Sequence, residues 1–399
     1  MIRWLLSIYA VGVYLHFKCC RIAFAPIDTR RKYLCVNGVI AACFAILVCS
    51  APSQCLAQNR LTEASRVSVI TVQPGDPVYT MFGHTAIRVV DDSLGIDYSF
   101  NYGTFDYSDK LFVPKFIQGN LDYYLSIAPF GAAVQHYSIV ENRSVIEQLL
   151  DLTLPQRQLI FSMLAENSKP ENRAYRYDFL YDNCSTRILD ILDAAFSLTL
   201  AERETSMTFR ELLIPYLRTR PALKTGIDLS LGIEVDKVAS LRQTSFLPDE
   251  LMLLLDEARL ADDEGLRDLV ARTDTLTISE PNANPYPWIA LIGWLLVAVQ
   301  VVGILRMHQG QRISFVLDVS CFAIAGLAGL ILIYMWFFTR HTVTALNANL
   351  LWAFPGHLIL AVLFTRSRNK SKIVRAYAVF AVVAVIFFIL LAPTVVFVS

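Results

Sequence analysis

Four apolar segments fill the last third of the chain and constrain its fold more than any other feature. They cover residues 288–305, 313–338, 350–365 and 373–398. The first, second and fourth are long enough to cross a bilayer as helices, which takes about 20 apolar residues. The third is short and contains Pro355, Gly356 and His357. The sequence therefore predicts a transmembrane region of four helices over residues 286–399.

Basic residues occupy two of the stretches that connect these predicted helices. Arg306 and Arg312 stand between the first and the second, and residues 366–375 contain five Lys or Arg after the third. Because positively charged loops stay on the cytoplasmic side, both stretches are predicted to be cytoplasmic. The loop 339–349 and the domain before residue 286 would then face the other side of the membrane.

The N-terminal part has the pattern of an export signal. Two arginines and a lysine at 30–32 precede an apolar stretch, 36–49, and a small residue follows at Ala57. This order predicts a signal peptide cleaved near Ala57, with an uncleaved anchor as the alternative. Residues 1–29 do not fit the pattern and would be either an over-extended start or an additional membrane-associated helix.

The signal peptide and the charge bias agree on the topology of a multi-pass protein of a bacterial inner membrane. The predicted parts are an N-terminal extension with its signal peptide (1–57), a periplasmic domain (58–285) and the transmembrane region (286–399). Lys plus Arg and Asp plus Glu each number 35, so no excess charge favours a nucleic-acid partner.

The periplasmic domain shows strand patterns first and helix patterns later. Residues 67–72, 84–90 and 96–102 have the β-branched or alternating composition of strands. Helices are predicted over residues 155–167, 188–196, 248–259 and 263–271. A domain whose strands and helices occupy separate stretches of chain is typical of the α+β class.

Cys184 is the strongest candidate for a chemically reactive residue. Beyond Ala57 the chain contains only Cys184 and Cys321, and Cys321 lies in an apolar segment. Thiols usually pair in an oxidising compartment, so a lone one is either buried and inert or chemically active. Asp182 or Asn183 would cap the helix that starts here, and the N–H groups of a helix start stabilise a thiolate and bind an oxyanion. We predict a nucleophile, with a structural cysteine as the alternative.

A thiolate nucleophile needs a base, and the domain contains two histidines, His84 and His136. His84 follows a glycine at the start of a predicted strand, where its ring has room, and is the candidate base. The neighbouring strand offers Asn101, Ser99 and Asp97, of which Asn101 is the candidate to orient the ring, unless it bonds only to the backbone of a turn. No ligand spacing fits zinc and no glycine-rich phosphate loop occurs, so neither a metal nor a cofactor is predicted.

Four motifs carry a resemblance to known proteins. They are Phe82-Gly83-His84-Thr85, Asn101-Tyr102-Gly103-Thr104-Phe105, Tyr177-Asp178-Phe179 and Asp182-Asn183-Cys184-Ser185-Thr186. A strand histidine that precedes a helix-start cysteine resembles the circularly permuted papain-like fold of the lecithin-retinol acyltransferase type. More closely, the motifs resemble the Lnb family of bacterial lipoprotein N-acyltransferases, which have an N-terminal periplasmic domain and C-terminal membrane helices. The resemblance covers about residues 62–398.

The resemblance implies a mechanism and two membrane-bound substrates. Cys184 would attack an acyl ester of a membrane phospholipid and form a thioester, while His84 protonates the leaving alcohol. The α-amine of a diacylated lipoprotein would then accept the acyl chain. A membrane-anchored thiol peptidase or amidase acting on cell-wall peptide is the alternative, and a receptor or scaffold with an inert Cys184 is a third possibility.

Polar residues in and beside the third apolar segment form a second candidate site. They are His341, Asn347, Asn349 and His357. Polar groups at membrane depth are costly and are often functional. We interpret these residues as a binding site for the lipid or the acceptor near the periplasmic face, although interfacial anchoring and packing explain them equally well.

Overall fold

The computed structural model describes three stretches of the chain. They are residues 60–279, without 107, 197 and 263–264, then 312–366 and 372–395, together with the single residues 295, 298 and 302. The predicted N-terminal extension with its signal peptide, 1–57, and most of the first predicted membrane span, 288–305, lie outside the described residues.

A seven-stranded sheet, in which every neighbouring pair is antiparallel, forms the centre of the domain. Its strands are β1 (Ser65–Val72), β2 (His84–Asp91), β3 (Ile96–Thr104), β4 (Asp122–Pro129), β5 (Val145–Leu150), β6 (Ala174–Arg176) and β9 (Val270–Thr277). They lie in the order β6-β4-β3-β2-β1-β5-β9. A separate hairpin pairs β7 (Arg259–Asp262) with β8 (Gly265–Asp268). A large antiparallel sheet with helices agrees with the α+β prediction.

The described part of this domain contains eight α-helices. They are α1 (Phe112–Gln118), α2 (Phe130–Gln135), α3 (Leu154–Asn167), α4 (Cys184–Phe196), α5 (Phe209–Leu217), α6 (Pro221–Ser230), α7 (Leu241–Thr244) and α8 (Pro248–Glu257). The apolar stripe of α4 is buried, with Ile188 and Leu192 fully enclosed. Because this stripe packs against β2 and β3, the first residue of α4, Cys184, is brought to the sheet.

Strand β3 is covered on both faces. Phe100 and Tyr102 are buried on the apolar face, as the alternation of the sequence predicts. Ser99 and Asn101 on the polar face are buried as well, because the segment 130–140 packs over that face. A polar face enclosed in this way must find hydrogen bonds within the protein.

The helix predicted over residues 263–271 is wrong, because β8 and the start of β9 occupy most of this segment. Thr273, Thr275 and Thr277 recur at every second position of β9, which is a strand pattern. The outer edge of β5 supplies the partner, since β5 and β9 pair along their lengths. This pairing is a long-range contact that the local pattern does not contain.

The C-terminal part contains three described helices. They are α9 (Arg312–Phe338), α10 (His357–Arg366) and α11 (Lys372–Val395). Among the described residues, one segment, Val319–Phe338, is long and apolar enough to cross a membrane. Helix α10 starts after Pro355 and Gly356 rather than at residue 350, and its ten residues span about 15 Å, well short of a bilayer core. A count of four spanning helices therefore stays a prediction.

The loop 339–349, called the docking loop below, fastens α9 to the sheet domain. The Gly232 N–H group donates a hydrogen bond of 2.8 Å to the Val343 carbonyl. The Val343 side chain lies in the same apolar cluster as the buried face of α5. The end of α9 is thus held against the domain that contains Cys184.

Candidate active site

Cys184 is the first residue of α4, and the residue before it fixes the start of the helix. The Asn183 side-chain oxygen accepts hydrogen bonds from the backbone N–H groups of Ser185 and Thr186, at 2.8 and 3.1 Å. Asn183 is buried, and its side-chain amide donates to two backbone carbonyls. Asn183 rather than Asp182 is therefore the cap, and it holds the thiol in a defined position.

The first turn of α4 departs from one expectation. Because the amides of Ser185 and Thr186 are bonded to Asn183, they are not free to bind an oxyanion. Asp182 forms a paired salt bridge with Arg187, with N–O distances of 2.6 and 2.8 Å. The Cys184 amide is therefore the N–H group at the helix start that is left to bind an oxyanion.

His84 lies at the start of β2, between Asn101 and the thiol. Gly83 before it has a φ of +84°, which glycine adopts readily and other residues do not. The His84 Nε2 atom lies 3.3 Å from Asn101 Oδ1, and the His84 side chain and its charge lower the pKa of Cys184. Because the Asn101 amide nitrogen donates to Ser99, its oxygen is turned to the ring, and Nε2 is assigned the proton. The structure thus brings Cys184, His84 and Asn101 together.

The surroundings of Cys184 favour the thiolate. Burial alone would raise the pKa of this thiol, because it removes water from the charged form. The hydrogen bond and charge of His84, the Thr85 N–H group and the Ser185 hydroxyl outweigh burial, so the pKa of Cys184 is lowered. A lowered pKa increases the thiolate fraction at neutral pH, which is what a nucleophilic cysteine requires.

Tyr137 belongs to the site, although the sequence pattern did not reveal it. It lies in a π-helical turn, His136–Val140, and its hydroxyl donates to Asn101 Oδ1 at 3.2 Å. Its ring centroid lies 6.0 Å from that of His84. Burial raises the pKa of Tyr137 to about 12, so the hydroxyl keeps its proton and remains a donor. Asn101 is therefore held from both sides.

Gly103 leaves space beside the thiol. Its φ is +85°, and a Cβ atom at this position would lie 3.5 Å from the Cys184 Cβ atom. The pairing of β3 with β4 shifts register between Asn101 and Thr104, where this glycine stands. The Tyr175 hydroxyl lies 3.9 Å from the same point, is buried, and has no hydrogen-bond partner among the residues described.

Three of the other predicted site residues lie in the docking loop and contact the sheet domain. Asn347 and Asn349 donate from their side-chain amides to the Leu229 carbonyl, at 2.8 and 3.2 Å. His341 Nε2 lies 3.1 Å from the Phe116 carbonyl oxygen. These contacts attach the loop to the domain, and a substrate-binding role for the three residues stays a prediction.

The two remaining histidines among the described residues have partners of their own. His357 is buried, with Nε2 at 2.9 Å from the Trp352 carbonyl oxygen and Nδ1 at 3.0 Å from the Tyr377 hydroxyl. His136 is exposed and lies 3.4 Å from a Glu141 carboxylate oxygen. Within the described part of the chain, no three His, Cys, Asp or Glu side chains are gathered as a metal ion would need.

Comparison with known protein families assigns both parts of the chain. The family model of the Lnb N-terminal periplasmic domain matches residues 52–215, and that of the Lnb transmembrane domain matches residues 281–396. Searches of curated proteins and of solved structures each gave no match. Because the two matches together cover most of its length, the chain belongs to the Lnb family and is a membrane protein with a periplasmic domain.

Proposed function

We propose that this protein is a lipoprotein N-acyltransferase in which Cys184 carries the acyl chain as a thioester. The observation that carries the proposal is the cluster of Cys184, His84 and Asn101, where a lowered thiol pKa coincides with a histidine held by an amide. Membership of the Lnb family supports a role in lipoprotein acylation. We assign the domain to the permuted papain-like fold, since its helix-start cysteine packs on an antiparallel sheet that supplies the histidine.

In the first half-reaction the Cys184 thiolate attacks the ester carbonyl of an acyl chain on a membrane phospholipid. The C–S bond forms, the ester C–O bond breaks, and His84 gives a proton to the departing glycerol oxygen, which leaves a lysophospholipid. With Nε2–H bonded to Asn101, Nδ1 is the nitrogen that exchanges protons with the thiol and the substrate. The Cys184 N–H group is the donor that we assign to the developing oxyanion.

In the second half-reaction the α-amine of a diacylglyceryl-cysteine attacks the thioester. The C–N bond forms, the C–S bond breaks, and His84 takes the amine proton, which restores the thiolate beside a protonated ring. Asn101 keeps the ring in the same orientation through both steps, and the Tyr137 hydroxyl keeps Asn101 in place. One histidine therefore serves as acid in one step and as base in the other.

Both substrates in this scheme are molecules of the bilayer, a phospholipid donor and a diacylated lipoprotein acceptor. A catalytic domain attached to a membrane domain meets them at a high effective concentration. We place the protein in the bacterial inner membrane as a multi-pass protein, with the catalytic domain in the periplasm. The attachment of the docking loop to the sheet domain supports placing these two parts on the same side of the membrane.

Mass spectrometry of lipoprotein N-termini tests the proposal. Cells with the wild-type protein should contain triacylated lipoproteins and release lysophospholipid, whereas cells with Cys184→Ser should keep the diacylated form. Cys321→Ser is the matched control, because it changes the other cysteine among the described residues and should retain activity. An acyl adduct on Cys184 that hydroxylamine removes would be the direct signature of the thioester.

Unchanged lipoprotein acylation in the Cys184→Ser variant would overturn the proposal. Wild-type activity that cleaves cell-wall peptide and leaves lipoproteins diacylated would instead identify the alternative, a thiol peptidase or amidase.

A further inference from the structure

Helix α1 exposes an unusual amount of apolar surface for its length. Val113, Phe116 and Ile117 are 45, 51 and 48% exposed, and Leu111, which directly precedes the helix, is 57% exposed. Single exposed apolar side chains are ordinary, but a contiguous group marks an interaction surface. The one charged residue of the helix, Lys115, is paired with an aspartate at 2.8 Å, so the surface is apolar and nearly neutral.

This helix lies beside the end of the membrane-spanning helix α9. The Arg340 N–H group donates to the Gln118 carbonyl at 2.9 Å, and His341 Nε2 lies 3.1 Å from the Phe116 carbonyl oxygen. Arg340 follows Phe338, the last residue of α9, by two positions. Helix α1 is thus bonded to the residues that directly follow the apolar segment Val319–Phe338.

A row of aromatic side chains, called the aromatic ridge below, leads from α1 into the domain. It consists of Phe112, Phe105, Tyr123 and Tyr177. The ring of Phe116 lies 6.1 Å from Phe112, and the successive centroid distances along the ridge are 5.6, 5.3 and 4.4 Å. All four ridge residues are half-buried, so each keeps part of its surface accessible.

Two residues of the ridge stand close in the chain to groups that border the thiol. Phe105 stands two residues after Gly103, where a Cβ atom would lie 3.5 Å from the Cys184 Cβ atom. Tyr177 stands two residues after Tyr175, whose hydroxyl lies 3.9 Å from the same point. Burial raises the pKa of Tyr177, and the charge on Cys184 raises it further. The ridge thus leads from α1 toward the residue proposed as nucleophile.

We propose that α1 inserts its apolar side chains into the periplasmic leaflet, and that the aromatic ridge guides the acyl chain of a membrane lipid to Cys184. The lipid is the occupant because α1 is hydrogen-bonded to the residues that follow Phe337 and Phe338, the last residues of α9, which are 64 and 69% exposed. Half-buried rings offer a long apolar wall to an alkyl chain. The guiding role rests on the proposed acyl transfer, whereas the insertion of α1 does not.

Photo-crosslinking tests the insertion. The full-length protein, with benzoylphenylalanine in place of Ile117, is reconstituted in vesicles of phosphatidylethanolamine and phosphatidylglycerol and irradiated. The matched control has the same probe at Leu253 of α8, which is also 48% exposed. Helix α8 lies beside β1 and β5, at the other end of the sheet from α1. We expect a lipid adduct at position 117 and none at position 253.

An adduct at neither position, equal adducts at both, or a protein adduct at 117 would overturn the insertion of α1. A lipid adduct at 117 in a protein that transfers no acyl chain would support the insertion and refute the proposed function. Acyl transfer without an adduct at 117 would support the proposed function and refute the insertion of α1. The failure of one proposal can therefore be distinguished from the failure of the other.

Activity measurements test the guiding role. Phe116→Asp and Ile117→Asp should each slow acyl transfer from vesicle lipid by about tenfold or more, since burying one such side chain is worth at least that factor. Leu253→Asp should transfer at the wild-type rate. Alkylation of Cys184 by water-soluble iodoacetamide should be the same in all three variants, because the thiol and His84 are unchanged. Wild-type transfer in both α1 variants, or slowed alkylation, would overturn the route.

Discussion

Gly232 and Val343 are joined by a backbone hydrogen bond of 2.8 Å that fastens the sheet domain to the loop after the spanning helix. Close by, the Asp178 carboxylate accepts a hydrogen bond from the Thr342 hydroxyl at 2.7 Å. Asp178 also accepts the N–H groups at the start of the turn that leads to Cys184. The docking loop therefore touches both the apolar cluster and the segment that carries the proposed nucleophile.

Gly232→Ala should weaken this attachment. A Cβ atom at Gly232 would overlap the Ala345 carbonyl, so the docking loop would have to move. Overpacking of this kind costs about 1–3 kcal/mol of the free energy of unfolding. The matched control is Gly226→Ala in α6, where nothing lies within 4 Å of the added methyl group and alanine should stabilise the helix by about 0.5–1 kcal/mol. Thermal unfolding of the full-length protein in detergent measures both, and equal effects would contradict the docking contact.

His84→Ala should raise the pKa of Cys184. Burial raises this pKa and His84 is the largest influence that lowers it, so its removal leaves burial less opposed. The iodoacetamide rate at neutral pH should fall, and the rate profile should move to higher pH. Acyl transfer should fall by about 100- to 10,000-fold, because both half-reactions need proton transfer. Asn101→Ala should have an intermediate effect, since Asn101 only orients the ring.

His136→Ala is the matched control for these variants, because His136 is exposed and pairs with Glu141 outside the site. It should leave the alkylation profile and the transfer rate close to wild type. Identical alkylation profiles in wild type and His84→Ala would mean that His84 and Cys184 do not interact in solution, and the proposed mechanism would have to be abandoned.

The placement of Cys184, His84 and Asn101 could be predicted because each follows from local patterns. The stripe that includes Ile188 and Leu192 orients α4, and Asn183 marks its start, so the thiol had to lie at a helix end. The alternation of β3 placed Asn101 on one face and its apolar neighbours on the other. Antiparallel pairing of adjacent strands then brought the Asn101 face beside the His84 face.

Tyr137, β9 and the docking contacts could not be predicted, because each depends on residues far apart in the chain. Tyr137 reaches Asn101 from a π-helical turn that has no local signature. Asn347 and Asn349 look like costly polar groups beside an apolar segment, but the sequence does not show that the Leu229 carbonyl accepts from both. Local patterns locate chemical groups, whereas their partners come from tertiary contacts.

Gly103→Ala should crowd the thiol as well as strain the backbone. A residue with a side chain at a φ of +85° costs about 1–2 kcal/mol, and the added methyl group would lie 3.5 Å from the Cys184 Cβ atom. Gly95→Ala is the matched control, because its φ of +65° brings similar strain but nothing lies within 4 Å. Both variants should unfold at lower temperature, and only Gly103→Ala should slow iodoacetamide alkylation. Equal alkylation rates in the two variants would show that Gly103 does not border the reactive face of the thiol.

Reporter fusions should place the sheet domain and the docking loop on the same side of the membrane, because hydrogen bonds join them. Fusions after Arg312 and after Lys370 should be active only as cytoplasmic reporters, as the basic residues of these stretches require. A fusion at the exposed Leu346 should be active only as a periplasmic reporter. Periplasmic activity after Arg312 would reverse the direction of α9 and contradict the arrangement.

Tyr175→Phe should leave the protein as stable as wild type or stabilise it. The Tyr175 hydroxyl is buried without a hydrogen-bond partner in the described part of the chain, and a buried unsatisfied group costs about 1–3 kcal/mol. The ring itself is needed, because the Arg187 guanidinium stacks on it at 3.7 Å, and phenylalanine keeps that contact. Tyr102→Phe is the matched control, since the Tyr102 hydroxyl accepts a hydrogen bond of 2.8 Å from the Asn167 amide. Loss of this hydrogen bond in Tyr102→Phe should lower the free energy of unfolding by about 1 kcal/mol. If thermal unfolding shows the two variants equally destabilised, the Tyr175 hydroxyl has a partner, and the space beside Gly103 and Cys184 holds a polar group that accepts from it.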